Sequence, residues 1–277
     1  MKNVETRVLN NGVFVRCSDG VNLDITLDCG QAFRWVKNEN GAWRGAVRGI
    51  ETEIEEIDGG LLFHSISEDD FYGVFYDYFD FGRDYTAILK SFKSDPLLKE
   101  TAEHYGVIRI LNQEPWEALC SFIISSCNNI PRIKSIIEKL CVNFGEKINN
   151  MYSFPSAERI ASLDISALDV LRAGYRNEFI MDASRAAAEG RIDFEKIKTL
   201  DIDSARNELM TVKGVGKKVA DCAMLYGLGF IDSFPVDRHI KRIEEQFYPN
   251  GLPECVKGYS GIAQQYMFHF QRTENSG

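Results

Sequence analysis

The chain has 277 residues, 44% of them hydrophobic and 26% charged, with a formal net charge of −9. A chain of this length buries a core without covalent staples, and no run approaches the ~18 consecutive apolar residues of a membrane span. The acid excess argues against a nucleic-acid partner on composition alone, but net charge is not charge distribution.

Residues 1–10 carry charges at Lys2, Glu5 and Arg7 and no apolar core, so no secretory or transit segment is expected and the protein is expected to be cytoplasmic. Short alternating runs then stand between turn residues: Val13 to Cys17, Val21 to Leu27, Ala32 to Lys37, Ala42 to Arg48 and Glu51 to Ile57. Their period predicts an antiparallel sheet of about five or six strands. The aromatic stretch Phe71 to Phe81 reads as core rather than as a surface for stacking bases.

From Pro96 the period becomes helical. Helices are expected over Glu114 to Ser126, Pro131 to Phe144, Ser156 to Leu163, Ile165 to Ala173, Asn177 to Glu189, Ser204 to Thr211, Lys217 to Leu228, Asp237 to Phe247 and Gly261 to Arg272. The expected fold class is α+β, with an N-terminal antiparallel β-sheet domain over 1–95 and an all-α domain over 96–277. Seven scattered cysteines without a Cys-x-x-Cys pair argue for a reducing compartment, and the four histidines are too dispersed for a ligand set. No metal or cofactor is expected.

The most informative stretch is Leu209 to Cys222, where one helix ends, Gly214-Val215-Gly216 turns, and a second helix starts. The two glycines permit positive φ and leave backbone N–H groups open at a helix N-terminus, a nest for a phosphate. An ordinary αα-turn with glycine caps is the plain alternative. Lys218 falls in the first turn of the second helix with Cys222 four residues on, so both project to one side. An amine so placed is a candidate nucleophile. Asp237 stands where an N-cap is expected, after Pro235 and before an apolar-periodic helix.

These residues carry a resemblance. Val212 to Cys222, followed by Pro235-Val236-Asp237-Arg238-His239, resembles the hairpin and catalytic aspartate of the helix-hairpin-helix DNA glycosylases. Cys29 to Trp35, Tyr78 to Tyr85, Phe122 to Arg132, Gly174-Tyr175-Arg176 and Ala263-Gln264 with Phe268 are similar, in order, to segments of the 8-oxoguanine glycosylase/abasic-site lyase branch. Val212-Lys213 replaces the usual leucine-proline. The four-cysteine loop of the iron–sulfur branch is missing, with only Cys255 in its place.

The resemblance implies that Lys218 attacks the deoxyribose while Asp237 stabilises the developing positive charge, and that β-elimination follows. It implies that the Gly30 carbonyl accepts from the N7–H that distinguishes 8-oxoguanine, that Cys222 and Phe268 cover the two faces of the flipped base, and that Gln264 reads its edge. It implies that Tyr175 fills the vacated gap, that Arg132 and Arg176 read the estranged cytosine beside Asn128 and Asn129, and that Gly214, Gly216 and His239 meet the backbone. Cys127 stands where the family has an asparagine, which bears on the preference for the opposite base. The implied partner is duplex DNA carrying oxidised guanine, met by a nucleoid-associated monomer. A non-catalytic hairpin DNA-binding module, or a glycosylase for another damaged base, remains open.

Overall fold

The computed structural model describes residues 4–274; the start of the charged N-terminal stretch, 1–3, lies outside them. The first elements are β1 (Val4–Leu9), β2 (Gly12–Cys17), α1 (Leu23–Asp28), β3 (Val36–Lys37), β4 (Trp43–Val47), β5 (Ile50–Ile57) and β6 (Gly60–His64). The six strands form one antiparallel sheet in the order β1-β2-β6-β5-β4-β3. Two of its hairpins turn on residue pairs with both φ positive, Arg48-Gly49 and Asp58-Gly59. That geometry matches the twist of the flanking strands.

Two expected strands are corrected. Val21 to Leu27 folds as helix α1: the Asn22 side chain accepts from Ile25 N at 3.0 Å, and Leu23, Thr26 and Leu27 are the buried set. The alternating pattern is equally compatible with a short helix once Asn22 supplies a cap. Of Ala32 to Lys37, only Val36–Lys37 pairs. The segment before it is irregular because side chains, not a ladder, satisfy its surroundings. Buried Gln31 donates to Thr26 O and Arg109 O at 2.9 and 2.8 Å and accepts from Leu111 N at 2.9 Å.

Next come α2 (Glu68–Asp70), a π-helical turn at Phe71–Phe75 and α3 (Tyr76–Tyr78). Phe71, Phe75 and Phe79 surround Phe63 of the sheet at ring distances of 5.4, 5.4 and 5.7 Å. The aromatic stretch is therefore core. The remainder contains α4 (Tyr85–Phe92), α5 (Pro96–Tyr105), α6 (Pro115–Ser125), α7 (Ile130–Phe144), a small hairpin of β7 (Lys147–Ile148) and β8 (Met151–Tyr152), α8 (Ala157–Ala161) and a 3-10 turn at Ile165–Leu171. It closes with α9 (Arg176–Ala188), α10 (Phe194–Ile197), α11 (Ile202–Leu209), α12 (Lys217–Gly227), α13 (Arg238–Phe247) and α14 (Ser260–Glu274). The hairpin β7-β8 is a small insertion in the otherwise helical part, and Ile165 to Ala173 is a 3-10 turn rather than an α-helix.

Two cores result. One lies under the sheet; the other fills the helical part and takes in Cys29 and Phe33 from the loop after α1. Helix α6, with every residue from Ala118 to Ile124 buried, is the central post against which α12, α9 and α7 pack. Among the described residues no helix is long and apolar enough to cross a membrane.

Candidate active site

The hairpin between α11 and α12 is held against α9 at three points. Its first glycine, Gly214, has φ +83, and a Cβ there would overlap the Phe179 ring on α9. Gly216 has φ −93 and caps α12 without a side chain, so only one of the two glycines uses the left-handed region. At Lys213 the backbone N–H donates to Asp182 Oδ2 at 2.9 Å, a bond that proline in this position lacks the hydrogen to make. Its ammonium pairs with Glu178 at 2.8 Å. Both acceptors are on α9, so the departure from leucine-proline exchanges ring rigidity for two polar pins.

Inside the hairpin, Arg206 of α11 donates from Nε to Asp221 Oδ1 of α12 at 2.6 Å. Asp221 is 1% exposed. Burial pushes its carboxyl upward against the opposing pull of Arg206. Ser233 Oγ adds a bond to Asp221 O at 3.0 Å, which ties the loop before Asp237 to the same helix. Sequence reasoning missed this pair, since nothing local joins positions fifteen apart across a turn.

Lys218 is half-buried. Its Nζ lies 3.3 Å from Ser125 Oγ and 5.1 Å from the centre of the Phe122 ring, both in the last turn of α6. One turn further along α12, Cys222 is buried and its thiol is pushed up to about 11 by burial; Lys218 pulls it down, and Asp221 and then Asp237 push it up. Asp237 caps α13: its Oδ1 accepts from His239 N at 2.8 Å and Ile240 N at 3.0 Å. The structural role expected from sequence is filled by one oxygen, and Oδ2 takes no hydrogen bond among the described residues.

Gly30 lies after α1 with φ +88, in a bend rather than a strand bulge. A Cβ there would lie 3.4 Å from Ile130 Cδ1 and 3.7 Å from Phe268 Cε1. Phe268 meets the His239 ring edge-on at 5.7 Å. Burial, followed by Arg238 and Arg242 against the pull of Asp237, holds His239 below the usual imidazole range. Gln264 on α14 is buried; its Nε2 donates to Pro235 O at 3.2 Å, and its Oε1 has no partner among the described residues. A buried acceptor left open is costly, so such atoms point to an unmet partner.

A second group lies at the α6–α7 junction. Asn128 donates to Ile124 O at 3.1 Å, and Asn129 caps α7 by accepting from Arg132 N at 3.0 Å. Arg132 is exposed and reaches Arg172 O at 3.4 Å. Tyr175 is 55% exposed. Arg176, in contrast, is buried, with its guanidinium 4.6 Å from the Tyr175 ring and bonded to the carbonyls of Ser126, Cys127 and Ala173.

A family model for the 8-oxoguanine DNA glycosylase N-terminal domain matches residues 14–119. The structure of a Clostridium acetobutylicum 8-oxoguanine glycosylase/lyase, in complex with duplex DNA containing cytosine opposite 8-oxoguanine, is 33% identical with a TM-score of 0.91, covering 99% of this chain and 100% of that one. That of MBOgg1 with a low-affinity DNA ligand is 36% identical at a TM-score of 0.91, covering 98% of this chain and 99% of its own. The chain belongs to the 8-oxoguanine DNA glycosylase/lyase family. A further family relative, the N-glycosylase/DNA lyase of Saccharomyces cerevisiae, is 35% identical over 64% of this chain and 56% of its own. The chain thus spans little more than half the length of that relative.

Within this family frame, Ser125 and Phe122 are the residues that the sequence reading passed over. Both fall inside a segment it singled out, Phe122 to Arg132, but their contact with Lys218 joins positions more than ninety residues apart.

Proposed function

We propose that the chain is a bifunctional DNA-repair glycosylase that flips 8-oxoguanine, paired with cytosine, out of duplex DNA, cleaves its glycosidic bond and nicks the strand. The observation that carries this reading is the Lys218 amine, set between Ser125 and Phe122 and one turn of α12 from buried Cys222. A base in a duplex offers no path to its sugar carbon, so the nucleotide must leave the stack. The lone pair of the Lys218 amine forms a bond to C1′ as the C1′–N9 bond breaks, and the base leaves with the electron pair and takes up the proton that the amine gives up. The free Asp237 oxygen stabilises the positive charge that develops on the sugar. Ring opening yields the lysine Schiff base; loss of a C2′ proton then expels the 3′ phosphate.

For recognition, Gly30 presents its carbonyl without a side chain, Cys222 and Phe268 flank the base, and the open Gln264 Oε1 meets its edge. Tyr175 fills the vacated position, with Arg132, Arg176, Asn128 and Asn129 beside the estranged cytosine. Arg176 must give up carbonyl bonds to do so. The amides around Gly214 and Gly216 and the His239 ring meet phosphates. One hairpin and one pocket need no symmetry, so a monomer suffices.

The test is borohydride trapping of the wild type, Lys218→Gln and Lys217→Gln on a duplex with one 8-oxoguanine opposite cytosine, with undamaged guanine alongside. The expected adduct forms on the lesion only and disappears only with Lys218→Gln. If no protein forms an adduct on any lesion, the reading as a lyase falls and a hairpin module that only binds DNA takes its place.

A further inference from the structure

The acid excess of the chain is not evenly spread. Residues 213–242 hold six Lys or Arg against three Asp in a protein of net charge −9. All three of those carboxylates are already engaged, Asp221 with Arg206, Asp232 with the amide of Ser260 and Asp237 with the amides of α13. A cavity of about 440 Å³ opens here between the start of α12 and the outer face of α13, lined by Lys217, Lys218, Asp221, Val236, Lys241 and Glu244. Lys217 and Lys241 are exposed, and neither has an ion pair among the described residues. Lys218 is the shared wall: the same residue that borders this cavity reaches inward to Ser125 and the Cys222 pocket.

Resting on the function proposed above, we infer that this cavity seats a phosphodiester flanking the flipped nucleotide, and that Lys217 and Lys241 are further DNA-positioning residues that hold it. The sugar attacked by Lys218 must stand at Lys218, and because Lys218 also lines this cavity, a phosphate one backbone step from that sugar falls within its reach. Ammonium groups from α12 and α13, neither with an ion pair among the described residues, suit a group carrying one negative charge. Glu244 sits on the same face as Lys241, three residues on, and opposes the anion. The cavity is thus tuned for release as well as capture. A local contact set of this kind is how an acidic protein binds a polyanion.

The experiment is equilibrium binding, by fluorescence anisotropy, to a duplex with an uncleavable abasic analogue opposite cytosine, over a range of salt. Each lost phosphate contact flattens the slope of log affinity against log salt by about 0.9, so Lys217→Ala and Lys241→Ala should each show that change. Glu244→Gln should bind tighter, by about two- to fivefold near 0.1 M salt, because removing an opposing charge acts in the other direction. All three side chains sit at the surface of the cavity, and melting curves recorded alongside confirm folding. A wild-type slope in both lysine variants, or weaker binding by Glu244→Gln, overturns the inference. A wild type that shows no salt-dependent affinity for any duplex overturns the proposed function instead, and the two failures are distinct.

Discussion

Gly214 turns the hairpin directly against the ring of Phe179, so closely that the site has no room for a Cβ. Phe179 in turn meets the Tyr175 ring edge-on at 5.5 Å. The hairpin and the exposed tyrosine are therefore two ends of one packed unit built on α9. Gly214→Ala should cost about 2–4 kcal/mol, combining a left-handed backbone with an overlap in a packed site. Phe179→Ala in the same chain should recover the overlap and leave the backbone strain. A melting temperature for Gly214→Ala equal to wild type would sink this account.

The Arg206–Asp221 pair is the second support of the hairpin. Arg206→Leu leaves a carboxylate at 1% exposure without its partner, which is expected to cost about 3–5 kcal/mol. Asp221→Asn added to it should restore a substantial part, since the amide carries no charge. Chemical denaturation of the four forms of this cycle measures the coupling; simple additivity would show that the pair is not a unit.

Gln264 is predicted to trade stability for recognition. With Oε1 buried and unpartnered and Nε2 on Pro235 O, Gln264→Leu exchanges an open acceptor for an apolar group of similar length. The change in stability should lie within about 1 kcal/mol of zero. Excision of the lesion in single turnover should fall at least tenfold. A variant that excises at the wild-type rate removes Gln264 from the base-reading set.

A pH dependence follows from His269, whose ring stands edge-on to Tyr105 at 4.6 Å with Nδ1 buried and without a partner among the described residues. Burial, then the neighbouring Arg272 and His104, hold it below the usual imidazole value. The unfolded chain, near its ordinary value of about 6.5, takes up the proton first as pH falls. Stability is therefore full above that value and declines as pH drops through the lowered folded one. His239 shifts in the same direction. His269→Phe keeps the ring and removes the titration, so its loss of melting temperature between about pH 7.5 and about pH 5.5 should be smaller than that of the wild type. An equal loss in both proteins would exclude His269 as a source.

Much of this was legible from local pattern. The α+β class, the α12 start at Lys217, the Asp237 cap and the aromatic core under the sheet depend on period, capping and glycine chemistry, and these act over a few residues. The errors came where distant groups decided a short segment. Asn22, which caps α1, also donates to Tyr105 O at 2.8 Å, and Gln31 is fixed by residues near 109–113. No periodicity within Val21 to Trp35 records those partners.

The chemistry divides in the same way. Motif spacing placed Lys218 and Cys222 on one side of a helix, because that relation is set by the helical repeat. Only the tertiary structure brought Ser125 and Phe122 to the amine, opened a basic cavity behind it, and left Gln264 Oε1 without a partner. Those relations depend on how α6, α12, α13 and α14 pack. Packing is a property of the whole core, to which each residue contributes without recording the result in its own neighbourhood.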